Sequence, residues 1–483
     1  MTTNAAAVLL GERDPQRTAL VCGVERLTYA ALRDAVARSA SAWRWRGLAQ
    51  GERVAIKLPD GCAWVSAFLG TIWAGGVAVA VNPRIRSEDW QFIVGEAGFR
   101  FILAESPEDT PPQFRDRVVT PAQWVRGVTS AAPIEPAAMD EEAPAFWSHS
   151  SGTSGRPKAV VHAQRFALHV ERVAAELLGV RAEDRLYASS KLFFSYPLGN
   201  SLFSGLKLGA TVILDPQWPT AGSVAATIAE QRPSLLFSVP SLYRSLLKEG
   251  LARGLARFGI RACVSAGEAL PSSLRDEWRK ETGMTIVDGY GASETLSLVL
   301  LDRGEGEGLR PVPGVEVQGA SPCGDGAPTP IRIKAPTLAL GYWNRPDADA
   351  AYFRDGAFCP TDLFERTGAG AWRFSGRDDS MVKISGRWVN LVELEERLAG
   401  SCPGIIEAAA VAVPDSDGVA AVAFFYALRS EAPADTGVAL KACADGLPPY
   451  QRPRWLRVVP SLPRTATGKL LRRKLQDLHA AHG

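Results

Sequence analysis

Ser148-His149-Ser150-Ser151-Gly152-Thr153-Ser154-Gly155-Arg156-Pro157-Lys158 is the stretch on which the reading of this chain turns. Gly152 and Gly155 let the backbone bend tightly and bring its N–H groups close to a ligand. Ser150, Ser151, Thr153 and Ser154 add hydroxyl donors, and Lys158 closes the stretch with a positive charge. That set suits phosphate oxygens, which take many donors and tolerate little bulk. It is not a Gly-x4-Gly-Lys-[Ser/Thr] loop, because the lysine follows a proline and Ala159 comes next. A Ser/Gly-rich segment is also what a plain linker looks like. The flanks favour a site. Apolar Ala145-Phe146-Trp147 reads as a strand entering the loop, and Val160-Val161 as a strand or helix leaving it. Nucleotide sites are commonly built where a strand runs into such a loop.

At 483 residues the chain exceeds what one core comfortably holds, so two or more folding units are expected. It is 46% hydrophobic and 22% charged, an ordinary composition for a soluble globular protein. A net charge of +2 gives nucleic acid or an acidic membrane surface no reason to bind, so neither is expected as a partner. Arg472-Arg473-Lys474 reads as a solvated helix face. The seven cysteines show no CxxC pairing and sit mostly in apolar runs, which fits reduced thiols. The five histidines lack HExxH spacing, so zinc chemistry is not expected. No uncharged apolar run reaches the ~18–20 residues that span a bilayer, and the N-terminus lacks a signal pattern. A cytoplasmic protein is expected.

Leu27 to Leu32 opens a helical periodicity that runs to Trp45, with Thr28 placed as N-cap. Gly51 to Leu58 reads as a turn and strand, Cys62 to Ala74 as an apolar helix ended by Gly75-Gly76, and Val77 to Val81 as the next strand. The pattern resumes at Phe101 to Ala104, from Leu186 to Leu214 and from Leu235 to Val239. Strand, helix, strand alternation makes an α/β fold with parallel sheet and helices on its faces. Ala131 to Pro144, rich in Pro, Ala and Glu, reads as a surface connection. Polar, glycine-bearing Ser375-Gly376-Arg377-Asp378-Asp379-Ser380 reads as a linker between domains.

Further stretches carry chemistry. In Asp288-Gly289-Tyr290-Gly291-Ala292-Ser293-Glu294, Tyr290 offers a ring, Ser293 a hydroxyl and Glu294 the hard carboxylate oxygen that Mg²⁺ prefers beside phosphate. Ser265-Ala266-Gly267-Glu268 follows a predicted strand, and its small residues leave room for a flat ring. Glu268 reads equally well as a helix-start carboxylate. Phe193-Phe194-Ser195-Tyr196-Pro197-Leu198-Gly199-Asn200 reads from composition as a core cluster.

Together with the Ser148–Lys158 stretch, these motifs resemble the adenylate-forming superfamily of acyl- and aryl-CoA ligases, adenylation domains and luciferases. The resemblance covers about Leu27 to Leu475 with the motifs in the family's order. It is nearest to benzoate-type aryl-CoA ligases, whose form the Phe-Phe-x-Tyr stretch shares. Departures are Ala159, Pro197, Pro360-Thr361 and Ser297, the last standing where benzoate-activating relatives tend to carry His. The implied fold is a large N-terminal domain of mixed and parallel sheets flanked by helices, residues 1–376. A small α+β C-terminal domain follows, residues 379–483, pivoting at Asp379.

The resemblance also implies site residues. Lys469 is the catalytic lysine, with Lys158 and Glu294 beside it. ATP or AMP is held by Ser150, Ser151, Gly152, Thr153, Ser154 and Gly155, by Ala266, Gly267 and Glu268, and by Asp288, Gly289, Tyr290, Gly291 and Ser293. Asp362 and Arg377 take the ribose. Phe194, Tyr196, Ala266, Gly291 and Ser297 line the acid pocket, and Thr153 and Glu294 hold Mg²⁺. Arg84, Gly386, Tyr450, Arg452 and Arg454 match contacts to coenzyme A. The implied reaction joins an aromatic acid to CoA with ATP, through an acyl-adenylate. Two rivals follow from the same motifs: an enzyme loading the acid onto a carrier protein, and a non-catalytic nucleotide-binding homologue. A homodimer is common among such relatives.

Overall fold

The computed structural model describes residues 2–151, 156–304, 307–319, 328–367, 370–377, 381–384, 387–415, 420–464 and 470–481. Its described residues divide into two compact units. The first comprises Met1–Gln318, Arg332–Cys359 and Thr367–Trp372; the second comprises Gly319–Ile331, Pro360–Arg366 and Arg373–Gly483. This division differs from a single cut after residue 376 by taking 319–331, 360–366 and 373–376 into the second unit. The strand Asp362–Arg366 pairs there with Thr329 and Pro330, which draws the first two of these segments together.

The first unit is organised by two sheets. One has seven strands in the order Gly341–Tyr342, Pro157–Ala163, Pro144–Ser151, Val77–Ala80, Arg53–Lys57, Phe101–Ala104 and Val118–Val119. Its last five are parallel, and an antiparallel hairpin closes the other edge. The other sheet has nine strands, six of them parallel: Thr18–Cys22, Thr211–Leu214, Arg185–Ala188, Leu235–Ser238, Ala262–Ser265 and Ile286–Tyr290. The parallel sheets expected from the alternating pattern are there, with antiparallel edges added.

Period-two alternation explains how the sheets share their helices. Val54 and Ile56 of the first sheet, and Leu20, Val212 and Leu214 of the second, enter one common core with the helices Tyr29–Trp45 and Cys62–Trp73. Their neighbours Ala55, Val21 and Ile213 point the other way, into separate cores under outer helices. The helix Cys62–Trp73 is buried all round except at Ala63, as a helix lying between two sheets must be. Gly70 lets it approach the helix Tyr29–Trp45: a Cβ there would lie 2.4 Å from Ser39 Cβ. Thr28 caps that second helix as expected, its Oγ1 accepting the Ala31 N–H at 3.2 Å.

The second unit folds around an antiparallel pair, Ile405–Pro414 with Ala420–Leu428, extended by the parallel strand Trp455–Val458. The helices Leu391–Gly400, Thr436–Asp445 and Arg472–Ala481 belong to it. Asn390 caps the first of these by accepting N–H groups from Val392 and Glu393.

Ala131 to Pro144 runs over the surface as expected, anchored at a few points: Trp73 Nε1 donates to Ile134 O, Ala137 N–H to Trp73 O, and Met139 is buried. Its short strand, Met139–Asp140, pairs with Thr2–Thr3, and single backbone groups anchor the rest. One local reading needs correction. Ser375 and Gly376, read as linker, belong to the strand Trp372–Arg377. Residues 378–380 lie outside the described set.

Candidate active site

The strands on either side of the expected phosphate loop pair as an antiparallel hairpin. Pro144–Ser151 and Pro157–Ala163 pair in register, Lys158 opposite Ser150 and Val160 opposite Ser148. The segment leaving the loop is therefore a strand. Ser150 Oγ is buried without a hydrogen-bond partner among the described residues. Gly152, Thr153, Ser154 and Gly155, with the side chain of Ser151, lie outside them.

Side chains on the hairpin reach the other motifs. His162 is 0% exposed and stacks on Phe146, centroids 4.6 Å apart. Its Nε2 donates to the Ser293 carbonyl at 3.0 Å, which holds the Tyr290–Glu294 turn against the hairpin. Burial pushes this imidazole down to about 3, so it works as a neutral donor. His149 is likewise pushed down to about 4 by burial, with Nδ1 3.3 Å from Ala80 O. Neither histidine's role could be read from a lone His in an apolar run.

Glu294 is 7% exposed, and its Oε1 accepts the Tyr342 hydroxyl at 2.6 Å. Tyr342 stands beside the hairpin because Gly341–Tyr342 pairs with Val161 and Val160. The Lys158 ammonium lies 4.6 Å from the Tyr342 ring centre and 4.1 Å from that of Tyr352. Lys158 and Glu294 are thus gathered around one tyrosine. A buried hard carboxylate near a lysine cation fits a site for Mg²⁺ and phosphate. No group of three or more His, Cys, Asp or Glu among the described residues would hold a metal alone. A magnesium ion here would draw its other ligands from phosphate and water, as that ion usually does.

The expected acid pocket and adenine turn are joined to the hairpin and to each other. Ser195 Oγ donates to Ser148 Oγ at 2.9 Å. Tyr196 donates its hydroxyl to Val264 O at 3.1 Å, just before Ser265 and Ala266. Asn200 bridges Tyr196 O and the Leu298 N–H, which fixes the turn beyond Ser297. Phe194 is half-buried and packs on Phe193, centroids 4.3 Å apart. Gly267 takes a positive φ of 85°, where a side chain would be strained. A Cβ at Gly289 would come 2.7 Å from Leu298 Cδ1, and one at Gly291 would come 3.0 Å from Ser297 O. Ser297 is buried with its hydroxyl unpartnered among the described residues. Asp288 sits 3.8 Å from Arg275, yet burial pushes its carboxyl up to about 7. Glu268 takes the helix-start position left open by the sequence: it accepts Ser241 N–H and Oγ at 3.0 Å each, at the start of the helix Pro240–Lys248.

Arg84 is exposed, its guanidinium 4.9 Å over the ring of Trp218, which sequence reading passed over. In the second unit, Asp362 begins the strand Asp362–Arg366 and Arg377 ends Trp372–Arg377. Tyr450 lies in the 3₁₀ turn Pro449–Gln451. Arg452 Nε donates to Leu447 O at 2.7 Å, and Arg454 pairs with Asp415. Asp379, Gly386 and Lys469 lie outside the described residues.

Residues 8–343 match the AMP-binding enzyme family, and residues 393–469 match the AMP-binding enzyme C-terminal domain. A 3-hydroxybenzoate–CoA/4-hydroxybenzoate–CoA ligase of Thauera aromatica is 36% identical, covering 98% of this chain and 97% of the relative. A benzoate–CoA ligase of the same organism is 32% identical over 93% of this chain and 90% of its own. The solved structure of a benzoate CoA ligase from Burkholderia xenovorans LB400 superposes with a TM-score of 0.86 at 32% identity, covering 98% of this chain and all of that one. With both family segments matched in order along nearly its whole length, the chain belongs to the AMP-binding enzyme family of adenylate-forming ligases.

Proposed function

We infer that this protein is an ATP-dependent carboxylic acid–CoA ligase for an aromatic, benzoate-like acid, acting through an acyl-adenylate and releasing AMP and pyrophosphate. The observation that carries the reading is the end-to-end 36% identity with a hydroxybenzoate–CoA ligase. The bound acid's carboxylate attacks the α-phosphorus of ATP and displaces pyrophosphate. Lys158, with Thr153 and Ser154, is assigned to the departing phosphates. Lys469 is assigned to the charge that builds where carboxylate and α-phosphate meet, a task for a preorganised cation. Magnesium, when bound, screens the phosphate oxygens, and Glu294 and Thr153 are its proposed protein ligands. A CoA thiolate then attacks the activated carbonyl and AMP leaves.

We assign the ring of the acid to Phe194, Tyr196, Ala266, Gly291 and Ser297, and the pivot between half-reactions to Asp379, dividing 1–376 from 379–483. CoA is favoured over a carrier protein as acceptor, with Arg84, Gly386, Tyr450, Arg452 and Arg454 as its proposed contacts. ATP and CoA as co-substrates make the cytosol the natural compartment. Among the described residues no helix is long and apolar enough to cross a membrane.

The test is acid-dependent AMP release over benzoate, hydroxybenzoates, aminobenzoates and short fatty acids, with and without CoA. The expected result is sustained turnover on an aromatic acid only with CoA, saturating without any carrier. Adenylate formation with no CoA thioester would move the acceptor to a carrier protein.

A further inference from the structure

Tyr342 sits in Gly341-Tyr342-Trp343-Asn344, a stretch with no task in the reading above. Its surroundings are built with care. The backbone N–H donates to Asp349 Oδ1 at 2.7 Å. Gly341, at φ 144°, leaves room for that carboxylate, since a Cβ would lie 2.7 Å from the same oxygen. The preceding residues clamp the opposite turn: Ala339 N–H donates to Glu294 O at 2.8 Å, and Thr337 Oγ1 to Thr295 O at 2.6 Å. Tyr342 is thus fixed at its backbone while its side chain meets two charged groups. Its hydroxyl donates to Glu294 Oε1 at 2.6 Å. Its ring forms one wall beside the Lys158 ammonium. Tyr352, at the end of the helix Pro346–Tyr352, forms another, the two rings 6.0 Å apart and nearly perpendicular.

Among the described residues Lys158 makes no salt bridge, and aromatic faces hold its charge instead. Such contacts are worth far less than a buried ion pair costs to break. A cation seated this way exchanges its partners for phosphate oxygens cheaply.

We propose that Tyr342, with Tyr352 as its companion wall, is a positioning residue for adenylation: it sets the metal-binding carboxylate and the phosphate-binding lysine at a fixed spacing. The proposal rests on the roles assigned to Glu294 and Lys158, and its test separates the two. The experiment is calorimetric titration of a non-hydrolysable ATP analogue at stepped Mg²⁺ concentrations, without acid or CoA. Tyr342→Phe keeps the ring and removes the hydroxyl. The expected result is a Mg²⁺ requirement raised about ten-fold, typical of losing a group that orients a metal ligand, with metal-free nucleotide binding unchanged. An unchanged Mg²⁺ midpoint in folded Tyr342→Phe, with Glu294→Gln shifted, would overturn the proposal and leave the site reading standing. An unchanged midpoint in Glu294→Gln would overturn both. The cation seat gives a second arm that does not depend on Tyr342→Phe folding. Tyr352→Leu weakens pyrophosphate binding several-fold, and Tyr352→Phe, restoring the ring, recovers it. Equal binding by the leucine and phenylalanine variants would count against the seat.

Discussion

The Lys158–Tyr342–Glu294 cluster and the Phe194–Tyr196 turn lie in the same unit but are built on opposite principles. The first joins a cation, a phenol and a carboxylate by polar and cation–π contacts at fixed distances. The second is apolar rings with a few hydrogen bonds that hold the turn in place. If the assigned roles hold, phosphate and metal chemistry is the same for every acid, so the cluster has little latitude in residue type. A ring pocket at the turn would need only shape and apolar area, so many side chains would serve. Changes to the cluster should lower activity on all acids alike, and changes to the turn should re-rank the acids.

The largest effect is expected at Lys158. Lys158→Ala removes the cation assigned to the leaving phosphates, and adenylation should fall about 10²–10³-fold for every acid, the scale of losing one preorganised charge stabiliser. ATP–pyrophosphate exchange measures it. A loss confined to some acids would break the comparison. Next comes Ser297→His in the ring pocket. It should change the ratio of kcat/KM between benzoate and a hydroxybenzoate by about ten-fold, within the ~1–3 kcal/mol that pocket contacts discriminate. KM for ATP should hold. A uniform loss across acids would place Ser297 outside the pocket.

The third prediction concerns the joint between the regions. Burial holds the His162 imidazole down at about 3, against 6.5 for a free one, so the unfolded chain takes up its proton first as pH falls. Its contribution is complete above pH 6.5 and is lost from there towards pH 3, on the order of 3 kcal/mol by pH 4. Asp60 and Asp288, both pushed up to about 7 by burial, act in the opposite direction between pH 7 and 3.8. The diagnostic is therefore the difference in unfolding free energy between wild type and His162→Gln, which should shrink as pH drops below 6.5. A difference independent of pH would refute the neutral buried histidine. The smallest effect belongs to Tyr196→Phe, which removes one hydrogen bond to Val264 O. It should cost about 1 kcal/mol in denaturant unfolding and, because the ring itself is kept, re-rank the acids less than a change of ring at Phe194 or Tyr196.

Much of this was legible in the residues. Thr28 as helix cap, the apolar helix after Cys62 and the parallel strands follow from local patterns, because caps and periodicity act over a few residues. The strands flanking the Ser148–Lys158 stretch were legible from the apolar runs on either side of it. What stayed hidden depends on partners far along the chain. Tyr342 and Glu294 are 48 positions apart, and His162 and Ser293 are 131 apart. Nothing local marks either pair. Glu268 was open between two roles because a carboxylate near a helix start looks the same whether it meets a ligand or a neighbouring N–H. Trp218, stacked between Arg84 and Phe193, was passed over for the same reason: its partners come from distant loops.

The account's central claim is an enzyme that activates an aromatic acid as its adenylate and hands it to CoA. The most direct measurement is acid-dependent ATP–pyrophosphate exchange with benzoate and its hydroxy and amino derivatives, followed by CoA addition and mass detection of the thioester. The account predicts exchange with at least one aromatic acid before CoA is added, and the matching aryl-CoA afterwards. Exchange with no aromatic acid, or an adenylate that CoA leaves intact, would contradict it.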